Sequence, residues 1–206
     1  MTAPRVVAIV PVGAIEGAKS RLGAVLDAEE RRDLALRLTA ATIGATVATP
    51  GIDETLVVTP DDEVRELARQ AGARPLRQRS GGLNDGLRQA RDEAIAAGAT
   101  AILVLPIDIP QVTPEQLDRI AAHAGGGDPL VAIVPDRHGR GTNALLLSPP
   151  DVIEFCFGGD SRYAHEGAAL AAGAHVEVLD GPLTLDIDTP DDLLLAQAET
   201  PEAVGG

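Results

Sequence analysis

The sequence predicts an α/β fold, one mostly parallel central sheet with helices on both faces, and three observations carry that expectation. Strand-like and helix-like patterns alternate along the 206 residues. The run Ala101-Ile-Leu-Val-Leu-Pro-Ile-Asp108-Ile-Pro110 is too continuously apolar for a strand with a wet face, so it belongs mid-sheet with both sides covered. No internal repeat, low-complexity block or linker breaks the alternation. Residues 1–199 are therefore expected to form a single domain with right-handed crossovers, and 200–206 a flexible tail.

Arg5-Val-Val-Ala-Ile-Val-Pro11 reads as the first buried strand. The loop from Val12 to Leu22 holds small residues with Lys19 and Arg21, a composition that can wrap phosphates or simply face water. It carries neither G-x-x-x-x-G-K-[ST] nor G-x-G-x-x-G, which removes the main support for a P-loop or dinucleotide site. Asp27-Ala-Glu-Glu30 has capping-box spacing and predicts a helix to about Ala48 that buries Leu34, Leu36, Leu38, Ile43 and Val47. Glu54 to Pro60 is a second strand, and Asp61 caps a helix running to Gly72. After a short strand near Ala73 to Leu76, Ser80-Gly-Gly-Leu-Asn84 is a loop feeding a helix that ends at Gly98. Its glycines either let the backbone approach a base or ribose or serve a positive-φ turn.

Asp108 falls at the C-terminal end of the apolar strand. In open α/β sheets that edge binds ligands, and a carboxylate there is readily satisfied by water or a cation; capping a turn before Pro110 is its plainer role. Thr113-Pro-Glu-Gln116 combines an N-cap, a first-turn proline and a capping glutamine, with the helix ending near Gly125. Pro129 to Pro135 and Thr142 to Ser148 are strands on either side of the charged loop from Asp136 to Gly141. Ser161 is the expected N-cap of a helix stopped by Gly173, and exposed N–H groups at its start form an anion site. His175 to Leu179 is a strand, and the alternation from Leu183 to Asp188 predicts another with Asp186 and Asp188 on one face. Thr189-Pro190 caps the last helix, whose dipole favours Asp191 and Asp192 without any functional role.

The 45% apolar content suffices for a core, but with no Trp, one Tyr and two Phe that core is built from Ala, Val, Leu and Ile. A formal charge of −14 argues against a nucleic-acid or anionic-membrane surface, because such binding runs on Lys and Arg clusters. An anionic ligand then needs metal ions and a few placed cations to draw it in locally. The single Cys156 excludes an internal disulfide and a Cys-based zinc site and suits a reducing cytoplasm. The apolar run from Val6 to Val12 is too short for a signal peptide or a membrane span, so a soluble cytoplasmic protein is expected. Oligomerisation is left open.

Metal-assisted chemistry fits these residues best. Asp108, Asp186 and Asp188 are hard oxygen donors at the ends of two predicted strands, the donor type that holds Mg²⁺ with substrate phosphates. There is no G-x-S-x-G elbow, and Cys156 lies in an apolar stretch without an activating neighbour. His123, His138, His165 and His175 lack metal-ligand spacing and read as surface or helix-face residues, His138 set apart by Arg137 and Arg140 in its loop.

A wider pattern then emerges. It comprises Pro11…Ala18-Lys19-Ser20-Arg21-Leu22, Gly82-Leu83-Asn84, Leu105-Pro-Ile-Asp108-Ile-Pro110, Asp136-Arg-His-Gly-Arg-Gly-Thr142-Asn143-Ala-Leu145, Phe157-Gly158…Ser161…His165 and Leu185-Asp-Ile-Asp-Thr-Pro190. In order and spacing it resembles the 2-phospho-L-lactate or phosphoenolpyruvate guanylyltransferases of coenzyme F420 biosynthesis. The resemblance spans Val6 to about Ala198 and implies a GT-A-like (Rossmann-like) nucleotidyltransferase fold that binds GTP with Mg²⁺ over the C-terminal sheet edge.

By that resemblance, Asp108, Asp186 and Asp188 ligate metal and Asp108, Lys19 and Arg21 are the catalytic set. Lys19 and Arg21 meet the GTP phosphates beside Pro11 and Gly13, and Gly82 and Asn84 meet the nucleoside. Thr142, Asn143, Gly158, Gly159 and Ser161 hold the phosphate and carboxylate of a three-carbon acid. Family members often carry a lysine where this chain has Gly13, which implies either weaker triphosphate contacts or a charge supplied by Arg5, Arg137 or Arg140. The implied reaction moves GMP from GTP to the acid's phosphate and releases pyrophosphate. Phosphoenolpyruvate is favoured over 2-phospho-L-lactate by likeness to the actinobacterial-like branch. The alternatives are a related enzyme using 3-phosphoglycerate or a sugar phosphate, and a catalytically silent nucleotide-binding protein.

Overall fold

Strand β1 (Val6–Pro11) runs through the middle of the molecule with Val7, Ala8, Ile9 and Val10 fully buried, because a run of small and β-branched residues fills both faces of a covered sheet. The structure is a computed structural model in which residues 3–79 and 81–199 are described. Strands β2 (Glu54–Thr59), β3 (Arg74–Arg77), β4 (Ala101–Val104), β5 (Leu130–Pro135), β6 (Thr142–Ser148) and β7 (His175–Val178) join β1 in a seven-stranded sheet of order β3-β2-β1-β4-β6-β5-β7. Its pairings are parallel except for β6, which lies antiparallel to both β4 and β5. This reversal brings Thr142, the first residue of β6, opposite Pro135 at the end of β5. The start of β6 thus shares a sheet edge with the C-terminal ends of the parallel strands. Strand order reverses between β1 and β4, a switch point of the kind that opens a ligand crevice.

Helices α1 (Ala28–Ala48), α2 (Asp62–Gln70) and α4 (Pro114–Ala121) contribute to cores that bury Ala8 and Val10, on one side of the sheet. On the other, α3 (Leu83–Ala96) and α5 (Ser161–Ala171) cover Val7 and Ile9. The last helix, α6 (Pro190–Glu199), packs Leu193 and Ala196 against Leu22, Leu34 and Leu38. Burying a side chain of leucine size contributes roughly 1.5–3 kcal/mol, so this small cluster is what ties the C-terminal segment to α1. Both predicted capping boxes form, Asp27 with Glu30 and Thr113 with Gln116.

Several local expectations need correction. Val47 is 41% exposed, because the buried stripe of α1 passes through Thr42, Ala45, Thr46 and the cap Thr49, leaving Val47 beside it. Strand β4 stops at Val104: Leu105 still donates to the Ile9 carbonyl, but Pro106 has no N–H with which to extend a ladder. Asp108 therefore lies in a turn beyond the strand. Residues 185–188 form no strand, and the Ile187 amide instead donates to the Asp108 carbonyl at 2.9 Å. The alternation still holds, with Leu185 and Ile187 buried and Asp186 and Asp188 turned outward. The N-cap of α5 is Asp160, in left-handed conformation, and Ser161 is already the first helical residue. Ser80 and the expected tail 200–206 lie outside the described residues. Among those described, no helix is long and apolar enough to cross a membrane.

Candidate active site

Three carboxylates converge at the switch-point edge. One oxygen each of Asp108, Asp186 and Asp188 lies within 4.8 Å of the others. The Ile187–Asp108 main-chain bond sets that spacing, since it joins the two segments between the acids. Burial, then the charges of Asp108 and Asp188 and more weakly Asp136, push the Asp186 carboxyl up to about 6. Concentrated hard oxygen donors whose charge is under-compensated fit a Mg²⁺ ion, which would be held by these three side chains.

The loop after β1 brings cations to the same place. Lys19 takes a left-handed conformation (φ 53°), and its Nζ donates to the Ile187 carbonyl at 2.7 Å while lying 3.9 Å from Asp108 Oδ2. The Arg21 guanidinium meets Asp188 Oδ2 at 3.1 Å. Pro11 closes β1, and a side chain at Gly13 would meet nothing within 4 Å, so the backbone there borders open space. The same openness holds at Gly82, the N-cap of α3. Of the three arginines considered as substitutes for the missing charge, Arg5 is excluded. It precedes β1 at the opposite sheet edge and pairs with Glu54. Arg137 pairs with Asp192 Oδ1 at 2.5 Å and Arg140 with Asp160 at 2.6 Å.

Across the β4–β6 junction, Thr142 and Ser161 are buried with their hydroxyl oxygens 3.2 Å apart. Gly158 has φ +143°, a backbone shape that favours glycine, and a Cβ at Gly158 or Gly159 would meet nothing within 4 Å. The two hydroxyls and the Gly158-Gly159 backbone, just before α5, are the hydrogen-bonding groups that an anion at this helix start would meet. The Asn143 amide donates to the carbonyls of Leu183 and Thr184 at 2.9 and 3.0 Å and so anchors the segment leading to Asp186. Asn84 bonds both the N–H and the carbonyl of Phe157, each at 3.0 Å. It thereby ties the first turn of α3 to the loop carrying Gly158.

Residues 6–197 match the family model described as guanylyl transferase CofC like. The chain belongs to this family. It is 43% identical to the phosphoenolpyruvate guanylyltransferase of Rubrobacter xylanophilus over 94% of each chain. The protein of the same name from Sphaerobacter thermophilus is 42% identical, covering 91% of this chain and 90% of that one. Among solved structures, a putative nucleotide-diphospho-sugar transferase from Desulfovibrio desulfuricans superposes with TM-score 0.76 at 16% identity, covering 97% of this chain and 89% of that one. The 4-diphosphocytidyl-2C-methyl-D-erythritol synthase of Anaerococcus prevotii gives 0.67 at 10% identity, over 97% of each. The chain thus has the nucleotidyltransferase fold of these proteins, with a mostly parallel sheet.

Two residues beside this CofC-like site have structural roles that the sequence reading did not assign. Asp192, taken as a helix-dipole residue, accepts from the amides of Asp188 and Thr189 and from the Thr189 hydroxyl, at 3.2, 2.7 and 2.7 Å. Burial opposes its charge, but these bonds and Arg137 hold its carboxyl below the usual range. It fixes the backbone of Asp188. His165, taken as a surface or helix-face residue, is wholly buried against Thr142. Helical spacing carried the signal: Ser161, His165 and Ala169 follow one another at four-residue steps on the buried face of α5.

Proposed function

We propose that this chain transfers GMP from GTP to the phosphate of phosphoenolpyruvate and releases pyrophosphate, a step in coenzyme F420 biosynthesis in the cytoplasm. The convergence of Asp108, Asp186 and Asp188 with Lys19 and Arg21 at the switch-point edge carries this reading. Family membership and the names of the curated relatives supply the base and the acceptor.

Phosphate oxygens of the acceptor are already ionised near neutral pH, so attack on the α-phosphorus of GTP needs no protein base. Bound Mg²⁺ would neutralise charge on the triphosphate and orient it for in-line displacement. Lys19 and Arg21, which rest against the acidic trio, turn to the phosphates when GTP arrives and stabilise the charge that develops on the leaving pyrophosphate. Pro11, Gly13 and Gly82 present backbone to the nucleotide, and Asn84 ties the helix after Gly82 to the Phe157-Gly158 loop on the acceptor side. Thr142, Ser161 and the Gly158-Gly159 backbone receive the three-carbon acid, with Asn143 holding the neighbouring turn.

The test is incubation of the purified protein with GTP, Mg²⁺ and, in separate arms, phosphoenolpyruvate, 2-phospho-L-lactate, 3-phosphoglycerate and a sugar phosphate, with products read by mass spectrometry. A guanosine-diphospho-linked three-carbon acid is expected with phosphoenolpyruvate and, more slowly, with 2-phospho-L-lactate. The two differ in shape around C3, and one apolar difference of that kind discriminates by only about 1–3 kcal/mol. Turnover of neither, or of the sugar phosphate instead, overturns the proposal.

A further inference from the structure

His165 has two polar partners and no access to solvent. The Cys156 amide donates to its Nε2 at 3.0 Å, and an amide N–H can meet only a lone pair there. The ring proton must then sit on Nδ1, 3.1 Å from Thr142 Oγ1, and donate to it. Burial pulls the ring's pKa down to about 4, which keeps the second proton off at neutral pH. Phe157 packs edge-on against the ring with centroids 4.9 Å apart, which leaves it little room to flip.

The tautomer decides what the pocket offers a ligand. Thr142 and Ser161 share one hydroxyl hydrogen across their 3.2 Å contact, whichever of them donates it. With Nδ1–H supplying a hydrogen to Thr142, the second hydroxyl hydrogen has no partner among the described residues and is left for a ligand. With the opposite tautomer both hydroxyl hydrogens would be drawn inward, Ser161 to Thr142 and Thr142 to Nδ1, and the pocket would present lone pairs to an anion.

We infer that His165 is a positioning residue that sets the hydrogen-bond polarity of the acceptor pocket, directing one hydroxyl hydrogen of the Thr142–Ser161 pair at an anionic oxygen of the three-carbon acid. The inference rests on the reading of this pocket as the acceptor site. Nitrogen-15 NMR of the imidazole in the unaltered, metal-free protein reads the tautomer directly. A protonated Nδ1 and bare Nε2 are expected, and a protonated Nε2 overturns the inference.

Two variants give the functional arm. The amide nitrogen of His165→Asn stands near the position of Nδ1 and keeps a donor to Thr142, whereas His165→Gln keeps an acceptor for Cys156 and loses the donor. The acceptor KM should rise about 10-fold or more in H165Q and by less than about 3-fold in H165N, with the GTP KM unmoved in both. Equal increases in the two variants would mean that the ring only fills space, and would overturn the inference. Thr142→Val separates the two levels of the argument. An unchanged acceptor KM in T142V removes the pocket assignment itself, whereas a raised KM in T142V beside a normal one in H165Q removes only the role of His165.

Discussion

Acidification should expose the cost of keeping His165 neutral. Burial depresses its pKa from 6.5 to about 4, so between those values the unfolded chain binds a proton that the folded one refuses. The sign follows directly. The stability associated with the neutral ring is complete above about pH 6.5 and is lost as pH falls toward 4. At about pH 5 the loss comes to about 2 kcal/mol, or roughly 4–8 °C of melting temperature for a chain of this size. Asp186 works in the opposite sense: its carboxyl, raised to about 6, takes up a proton in the folded state first and gains stability on acidification. A raw pH curve mixes the two effects, so the assay is a difference. Thermal unfolding with chelator present, at about pH 7.5 and about pH 5, is compared between the unaltered protein and His165→Gln, which has nothing to titrate there. The unaltered protein should lose about 4–8 °C more than the variant. Equal losses would refute the reasoning and place the acid sensitivity elsewhere.

Asp108→Asn should abolish turnover and leave the melting temperature within a few degrees, because the bond that sets the spacing uses the Asp108 carbonyl and not its carboxylate. Near-normal turnover at saturating Mg²⁺ would reduce Asp108 to a turn residue. Asn84→Ala removes both bonds to Phe157 and should raise the acceptor KM by about 10-fold in steady-state kinetics. A rise confined to the GTP KM would return Asn84 to direct nucleoside contact. Asp27→Ala breaks the α1 capping box without removing any group of the proposed site and should cost about 1 kcal/mol by chemical denaturation with kcat unchanged.

The fold was legible wherever its cause is local. Asp27 with Glu30 and Thr113 with Gln116 mark helix starts within four residues, and continuous apolar runs mark buried strands at any position in the chain. Strand ends were less legible, since a strand lasts only as long as its neighbour: β4 reads as continuing to Asp108 but finds β6 only from Ile102 to Val104. The acidic trio could be picked out because carboxylates in apolar surroundings stand out by type. The groups that hold the site in place could not. Asn84 reaches Phe157 across 73 positions and Lys19 reaches Ile187 across 168, and nothing in either neighbourhood of sequence announces the partner. His165 and Asp192 were misjudged for the same reason, since histidine and aspartate are ordinary on a helix until something packs on them.

The reversed strand β6 gives the protein a seam. On one side, β3-β2-β1-β4 carries the loop of Lys19 and Arg21 together with Asp108; on the other, β6-β5-β7 carries Thr142 and neighbours the helix of Ser161. The connections 136–141 and 149–160, which rim the second half, both start and end outside the first four strands. The first joins β5 to β6 alone, so its length bears on no pairing of β1, whereas the second packs Ile153 and Phe155 into the core that buries Val7 and Ile9 and is bound to that half. For an engineer, the proposed function makes the β5–β6 hairpin loop the place to graft, since a change there reaches the proposed acceptor side without entering the strands that carry Lys19, Arg21 and Asp108. Solved proteins of the same fold bear names as different as a putative nucleotide-diphospho-sugar transferase and a 4-diphosphocytidyl-2C-methyl-D-erythritol synthase, so the fold by itself leaves the activity to the residues set on it.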